Sequence, residues 1–107
     1  MNYIVVFVTA KDKIEANKIA EKLIQEKLAA CVNMIEGVTS IFWWEGKVDQ
    51  ASEVLLIIKT QKTLFKKLEK AVKSAHSYTV PEIIALPIVA GNADYLKWVK
   101  KTVVSSK

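Results

Sequence analysis

Arginine is missing altogether: all sixteen basic residues are lysine, and against eleven acidic residues they leave a net charge of +5. Without the planar guanidinium fork the chain lacks a bidentate grip on phosphates and guanine edges. The lysines are spread along whole segments rather than massed in one tract, the pattern of solvated helix faces, so no nucleic acid is expected as a partner. The one cysteine, Cys31, cannot close an internal disulfide, and nothing demands an oxidising compartment. Only three glycines occur, Gly37, Gly46 and Gly91, too far apart for a phosphate-cradling loop. No stretch is rich enough in Gly, Ser or Pro to be a linker, and residues 1–107 read as one domain. Every apolar run is interrupted well short of the roughly 18 residues a membrane span needs. The N-terminus shows neither a basic n-region nor a small-residue cleavage site, and the expected location is the cytoplasm.

What the chain has in excess is apolar surface. Hydrophobic residues make up 51% of it, which is high for a domain whose surface is large relative to its volume. Either the core is dense or some of that surface meets another chain. Residues 3–9 form a β-branched, nearly continuous apolar run, as in a strand covered on both faces. Asp12 and Glu15 stand at capping-box spacing ahead of Ala16, Ile19, Ala20, Leu23, Ile24 and Leu28, which recur at helical spacing. Residues 30–35 read as strand, Glu36-Gly37 as a bulge, and 38–44 as its continuation. A turn at Glu45-Gly46-Lys47 leads into a returning strand over 53–60, making a hairpin. A second amphipathic helix carries Leu64, Phe65, Leu68, Ala71, Val72 and Ala75, and residues 76–82 are a connecting loop. Residues 83–89 are a last strand, which Pro87 confines to a sheet edge, and Asn92 caps a final helix. The order β-α-β-β-α-β plus a helix predicts an α+β fold, a ferredoxin-like antiparallel sheet with helices on one face. The other face then needs a cover, supplied in part by the last helix and in part by a neighbouring subunit.

Three constellations bear on function. Ile41, Phe42, Trp43 and Trp44 crowd the hairpin tip, where alternation places one tryptophan on each face. The tip either folds back on its own domain or, the favoured reading, inserts between subunits, where tryptophan is a preferred anchor. His76, Tyr78 and Glu82 are the sole imidazole–phenol–carboxylate cluster on a loop. A metal can take His76 and Glu82, but two ligands are too few, so a second subunit or water must complete the shell. The competing reading has His76 capping the preceding helix and Glu82 neutralising a lysine. Cys31, in an apolar strand, reads as an inert thiol or else a ligand. Glu45 and Glu53 flank the turn and could act as acid and base, but turn-exposed carboxylates are usually just solvated. A hydrolase using Glu45 or Glu82 as its base has no nucleophile, oxyanion loop or closed metal site to support it, so no enzyme is expected.

Residues 28–33, 37–47, 53–60, 80–87 and the Gly91–Trp98 ending closely resemble the CutA divalent-cation tolerance proteins, in order and in spacing, over almost the whole chain. The resemblance implies a cytoplasmic homotrimer of ferredoxin-like subunits, similar in architecture to the PII proteins. It implies tolerance of copper and other divalent metals, without established enzymatic activity, and at most a weakly bound divalent metal ion as cofactor. It places the site in clefts between subunits, with Trp44 and Glu45 from the hairpin, Lys59 at a strand end, and His76, Tyr78 and Glu82 from the loop. Cys31 matches the family's strand cysteine. Two departures stand out. Ser77 and Thr79 replace a proline and an acidic residue or glutamine, which predicts a freer backbone before Tyr78. Of a copper-ligand set proposed for some members, Val8 and Ala75 occupy two positions, and His76 alone is kept. The leading expectation is metal bound weakly between subunits at His76, Glu82 and Cys31. The alternative is a PII-like signalling module holding a small anion or metabolite in the same clefts, beside Lys59.

Overall fold

The structure, a computed structural model, describes residues 2–104. Strand β1 (Tyr3–Ala10) is followed by helix α1 (Lys13–Gln25), the hairpin strands β2 (Cys31–Trp44) and β3 (Lys47–Gln61), helix α2 (Phe65–Ala75) after a single 3-10 turn, strand β4 (Ile83–Pro87) and helix α3 (Ala93–Thr102). The four strands form one antiparallel sheet in the order β2-β3-β1-β4, the ferredoxin-like arrangement expected from the element order.

Alternation along the central strands decides what is buried. Ile4, Val6, Val8 and Ala10 of β1 and Val54, Leu56, Ile58 and Thr60 of β3 point toward the helices and are buried. Ile19 and Leu23 of α1 and Leu68 and Val72 of α2 meet them, all without solvent exposure. The opposite face carries Val5, Phe7, Leu55 and Ile57, which are half-buried, and Ile35, Ile84 and Leu86, which are exposed. Helix α3 packs against β3, with Tyr95 against Cys31, and covers only the end of that face near Lys59.

Helix α1 begins as read: Asp12 Oδ1 accepts from the Glu15 amide at 2.9 Å. Its end comes earlier than the periodicity suggests. Lys27 takes a left-handed backbone (φ 56°), and the Leu28 amide donates back to the Leu23 carbonyl at 2.9 Å. Leu28 therefore stays in the core while lying outside the helix. Strand β4 sits at the sheet edge as Pro87 requires and stops there, two residues short of the expected 83–89. Asn92 caps α3 by accepting from the Tyr95 amide at 3.0 Å.

The hairpin is longer than the sequence pattern announces. Strand β3 starts at Lys47 rather than 53, and the turn is the pair Glu45-Gly46, both at positive φ (51° and 79°). That geometry suits the right-handed twist of paired strands. Between Ile35 and Val38, Glu36 and Gly37 together oppose Val54, a bulge that Gly37 enters at φ 77°. Beyond the bulge β2 and β3 run past the end of β1, whose Ala10 pairs with Val54, and form a two-stranded overhang.

Candidate functional site

The connection from α2 to β4 passes beneath this overhang, and between them lies a cleft of about 720 Å³. The pairing register sets which hairpin residues face it. Phe42 opposes Asp49 and Val38 opposes Glu53, so Phe42, Trp44, Asp49 and Glu53 share the face turned to the loop. Ile41 reaches its rim, and Tyr78, Glu82 and Thr9 complete it from below. Trp43 lies on the other face with Ile41 and Val48, and is 75% exposed, so the tip does not fold back onto its own chain.

A chain of hydrogen bonds holds the loop in place. His76 has a fully buried side chain; its Nε2 meets the Thr9 carbonyl at 2.7 Å, and its Nδ1 accepts from the Tyr78 amide at 3.1 Å. These partners assign the tautomer that donates through Nε2. With both ring nitrogens engaged, His76 has no lone pair for a metal, which removes it from the expected ligand set. It does end α2, as the competing reading held: it is the C-cap residue, but its side chain bonds to β1 and not to the helix.

Glu15, read from sequence as a helix cap alone, proves to be the loop's second anchor. One oxygen accepts from the Lys11 amide at 3.1 Å and the other from the Ser77 amide at 2.8 Å. Burial pushes its carboxyl up, but the Ser77 hydroxyl, the Lys11 and Ser77 amides and nearby His76 outweigh burial and hold it below its ordinary value of 4.5. The expectation of a freer loop at Ser77 is thereby corrected: a proline would lack the N–H that Glu15 accepts.

Tyr78 donates through its hydroxyl to Glu53 Oε2 at 2.8 Å. Burial, then that hydrogen bond and the Glu53 charge, with Glu15 and Asp12 adding, push the phenol up to about 12. It therefore remains a neutral donor near pH 7. Glu53, an exposed turn carboxylate in the sequence reading, is buried and held by Tyr78.

The remaining expected residues are not brought together within one chain. Glu45 occupies the turn beyond the cleft. Lys59 bonds to Asn33 on the open face and pairs with Cys31, and β3 separates it from the tip by about 40 Å at roughly 3.3 Å per residue. Cys31 shares that distant end, where Tyr95 packs on it; burial first, then Cys31, pushes the Tyr95 phenol above its ordinary 10.0. Cys31 therefore cannot join Glu82 in one subunit. Among the described residues no three His, Cys, Asp or Glu side chains are grouped to hold a metal. Asp49 was missed in the sequence because the polar run 49–53 hides its strand; the two-residue turn would have placed it opposite Phe42.

A model of the CutA1 divalent ion tolerance protein family matches residues 4–102. A chloroplastic CutA 1 protein of Oryza sativa is 52% identical over 92% of this chain and 56% of its own length. The divalent-cation tolerance protein CutA of Thermus thermophilus is 48% identical over 91% of this chain and 94% of its own. The chain thus spans about half the length of the plant relatives and nearly all of the Thermus one. Among solved structures, CutA1 from Oryza sativa superposes with a TM-score of 0.94 at 49% identity, covering 97% of this chain and 95% of that one. A CutA from Archaeoglobus fulgidus, described as periplasmic, does so at 0.93 and 42%, covering 95% and 99%.

Proposed function

The chain belongs to the CutA1 divalent ion tolerance protein family, and from that premise we propose that it is a homotrimeric, non-enzymatic protein of divalent-metal tolerance, copper included. The reading takes metal to bind weakly in clefts between subunits. The observation that carries it is the cleft between the hairpin and the loop, where Asp49, Glu53 and Glu82 lie beside a strand face whose Phe42 and Trp44 stay partly exposed. Carboxylate oxygens suit divalent cations broadly, whereas the imidazole and thiolate that favour copper are engaged or distant here. One chain offers too few grouped donors, so a neighbouring hairpin or water has to complete the shell. The exposed Trp43, Ile41 and Val48 supply the apolar contact for such a neighbour. A cytoplasmic location agrees with the single cysteine and with the lack, among described residues, of a helix long and apolar enough to cross a membrane.

The alternative, a PII-like module holding a small anion or metabolite between subunits, would need Lys59 from a neighbouring chain, since within one chain it lies at the opposite end of the sheet from this carboxylate-bearing cleft. The metal reading is tested by calorimetric titration with Cu(II) and Mn(II), comparing the native chain with Glu82→Gln and Glu53→Gln. Reduced heats in both variants are expected. Heats equal to the native protein's would remove this cleft from metal binding.

A further inference from the structure

Helices α2 and α3 carry more lysines than carboxylates, Glu69 and Asp94 being their only acidic residues. The carboxylates Asp49, Glu53 and Glu82 gather at the hairpin cleft, while α2 bears Lys66, Lys67, Lys70 and Lys73, and α3 bears Lys97, Lys100 and Lys101. On the helical side of the sheet, away from the apolar open face, α1 and α2 leave a second cleft of about 460 Å³. Its floor is apolar: Leu28 and Ala71 are buried beneath it, and Val104, tied by its amide to the Lys27 carbonyl at 2.8 Å, closes one side. Its walls carry three lysines, Lys22, Lys67 and Lys70, and one carboxylate, Glu26.

These three ammonium groups are not equivalent. Lys22 is paired with Glu26 at 3.0 Å, one helical turn on. Among the described residues neither Lys67 nor Lys70 stands within ion-pair distance of a carboxylate. They lie at i and i+3 on α2, with Ala71 at i+4, so both heads rise from one stripe above the apolar floor. The Ser74 hydroxyl is spent on the Ala71 carbonyl at 2.8 Å, which leaves the lysines as the donors.

We propose that the α1–α2 cleft is a binding site for a small aliphatic carboxylate, its chain lying on Leu28, Ala71 and Val104 and its head held between Lys67 and Lys70. The volume falls in the range of small-ligand sites, and the surrounding lysines raise the local potential that draws such an anion in. The site is on the opposite layer from the hairpin cleft and does not depend on metal or on assembly.

The test is a ¹H–¹⁵N NMR titration of the full chain with octanoate, with 1-octanol as the uncharged tail and inorganic phosphate as a tailless anion. Saturable shifts at Leu28, Ala71 and Val104 are expected with octanoate, weaker ones with octanol, and none that saturate with phosphate. Lys67→Gln with Lys70→Gln, both on exposed positions, should weaken octanoate on the order of tenfold. Octanoate shifts that fail to saturate or that map elsewhere would overturn the proposal. So would octanol binding as tightly as octanoate, phosphate saturating the same amides, or a double variant that binds like the native chain.

Discussion

Strand β3 is one continuous ladder whose two halves live in different surroundings. Over residues 54–60 its side chains alternate between buried and half-buried, because helices cover one face and α3 part of the other. Over residues 47–52 the same strand, equally well paired with β2, is exposed at every position but the half-buried Ala51. The pairing with β2 runs through both halves, but only the 54–60 half is also paired with β1 on the other edge, so the distal half lacks both a second neighbour strand and a packed face. A two-stranded ribbon in water is marginal, so in the proposed trimer the distal half is the part that a neighbouring subunit would cover.

Breaking the packed half should have the largest effect. Leu56 has no exposed surface, and Leu56→Ala is expected to cost about 2–5 kcal/mol in denaturant unfolding. The equivalent truncation on the overhang separates the two halves most directly. Trp43→Ala should leave the far-UV spectrum of the subunit intact while weakening association by about 2 kcal/mol, read by native mass spectrometry as trimer giving way to monomer. A native chain that is already monomeric would sink the assembly reading, and with it the explanation for the bare half.

The anchoring of the loop beneath the overhang depends on a carboxylate charge and therefore on pH. Glu15 is held below its ordinary value in the folded chain, so its contribution is complete above pH 4.5 and is lost as pH falls through the lower folded value. Glu15→Gln, which loses the charge on two amide-bonded oxygens, should cost about 1 kcal/mol at neutral pH. The loss should vanish at the acid end of a pH series of thermal midpoints. A constant difference at all pH values would show that the carboxylate charge is not what holds the loop.

Much of this architecture was legible in the chain. The periods of α1 and α2, the Asp12 and Asn92 caps, the Gly37 bulge and the edge position of β4 each follow from residues next to one another. The extent of the hairpin was not, because residues 49–53 are polar but for Ala51 and carry no alternating signal; their strand state comes from cross-strand pairing. The site was half legible. Tyr78, Glu82 and Trp44 do meet at one cleft, whereas Glu45, Lys59 and Cys31 stand outside it. The His76 and Glu15 roles were hidden for a common reason: each is settled by partners more than sixty residues away, Thr9 for the one and Ser77 for the other.

By itself, then, the sequence determined the order and type of the elements and the presence of an apolar surplus at Trp43-Trp44. Periodicity, caps and turn residues act within a few positions of the chain and can be read in a line. Only the tertiary structure decided that Glu53 is buried under Tyr78, that the imidazole of His76 is already spoken for, and that Lys59 and the hairpin tip lie at opposite ends of one strand. Those outcomes depend on register and on which distant group satisfies a buried polar atom, and neither is written in local composition.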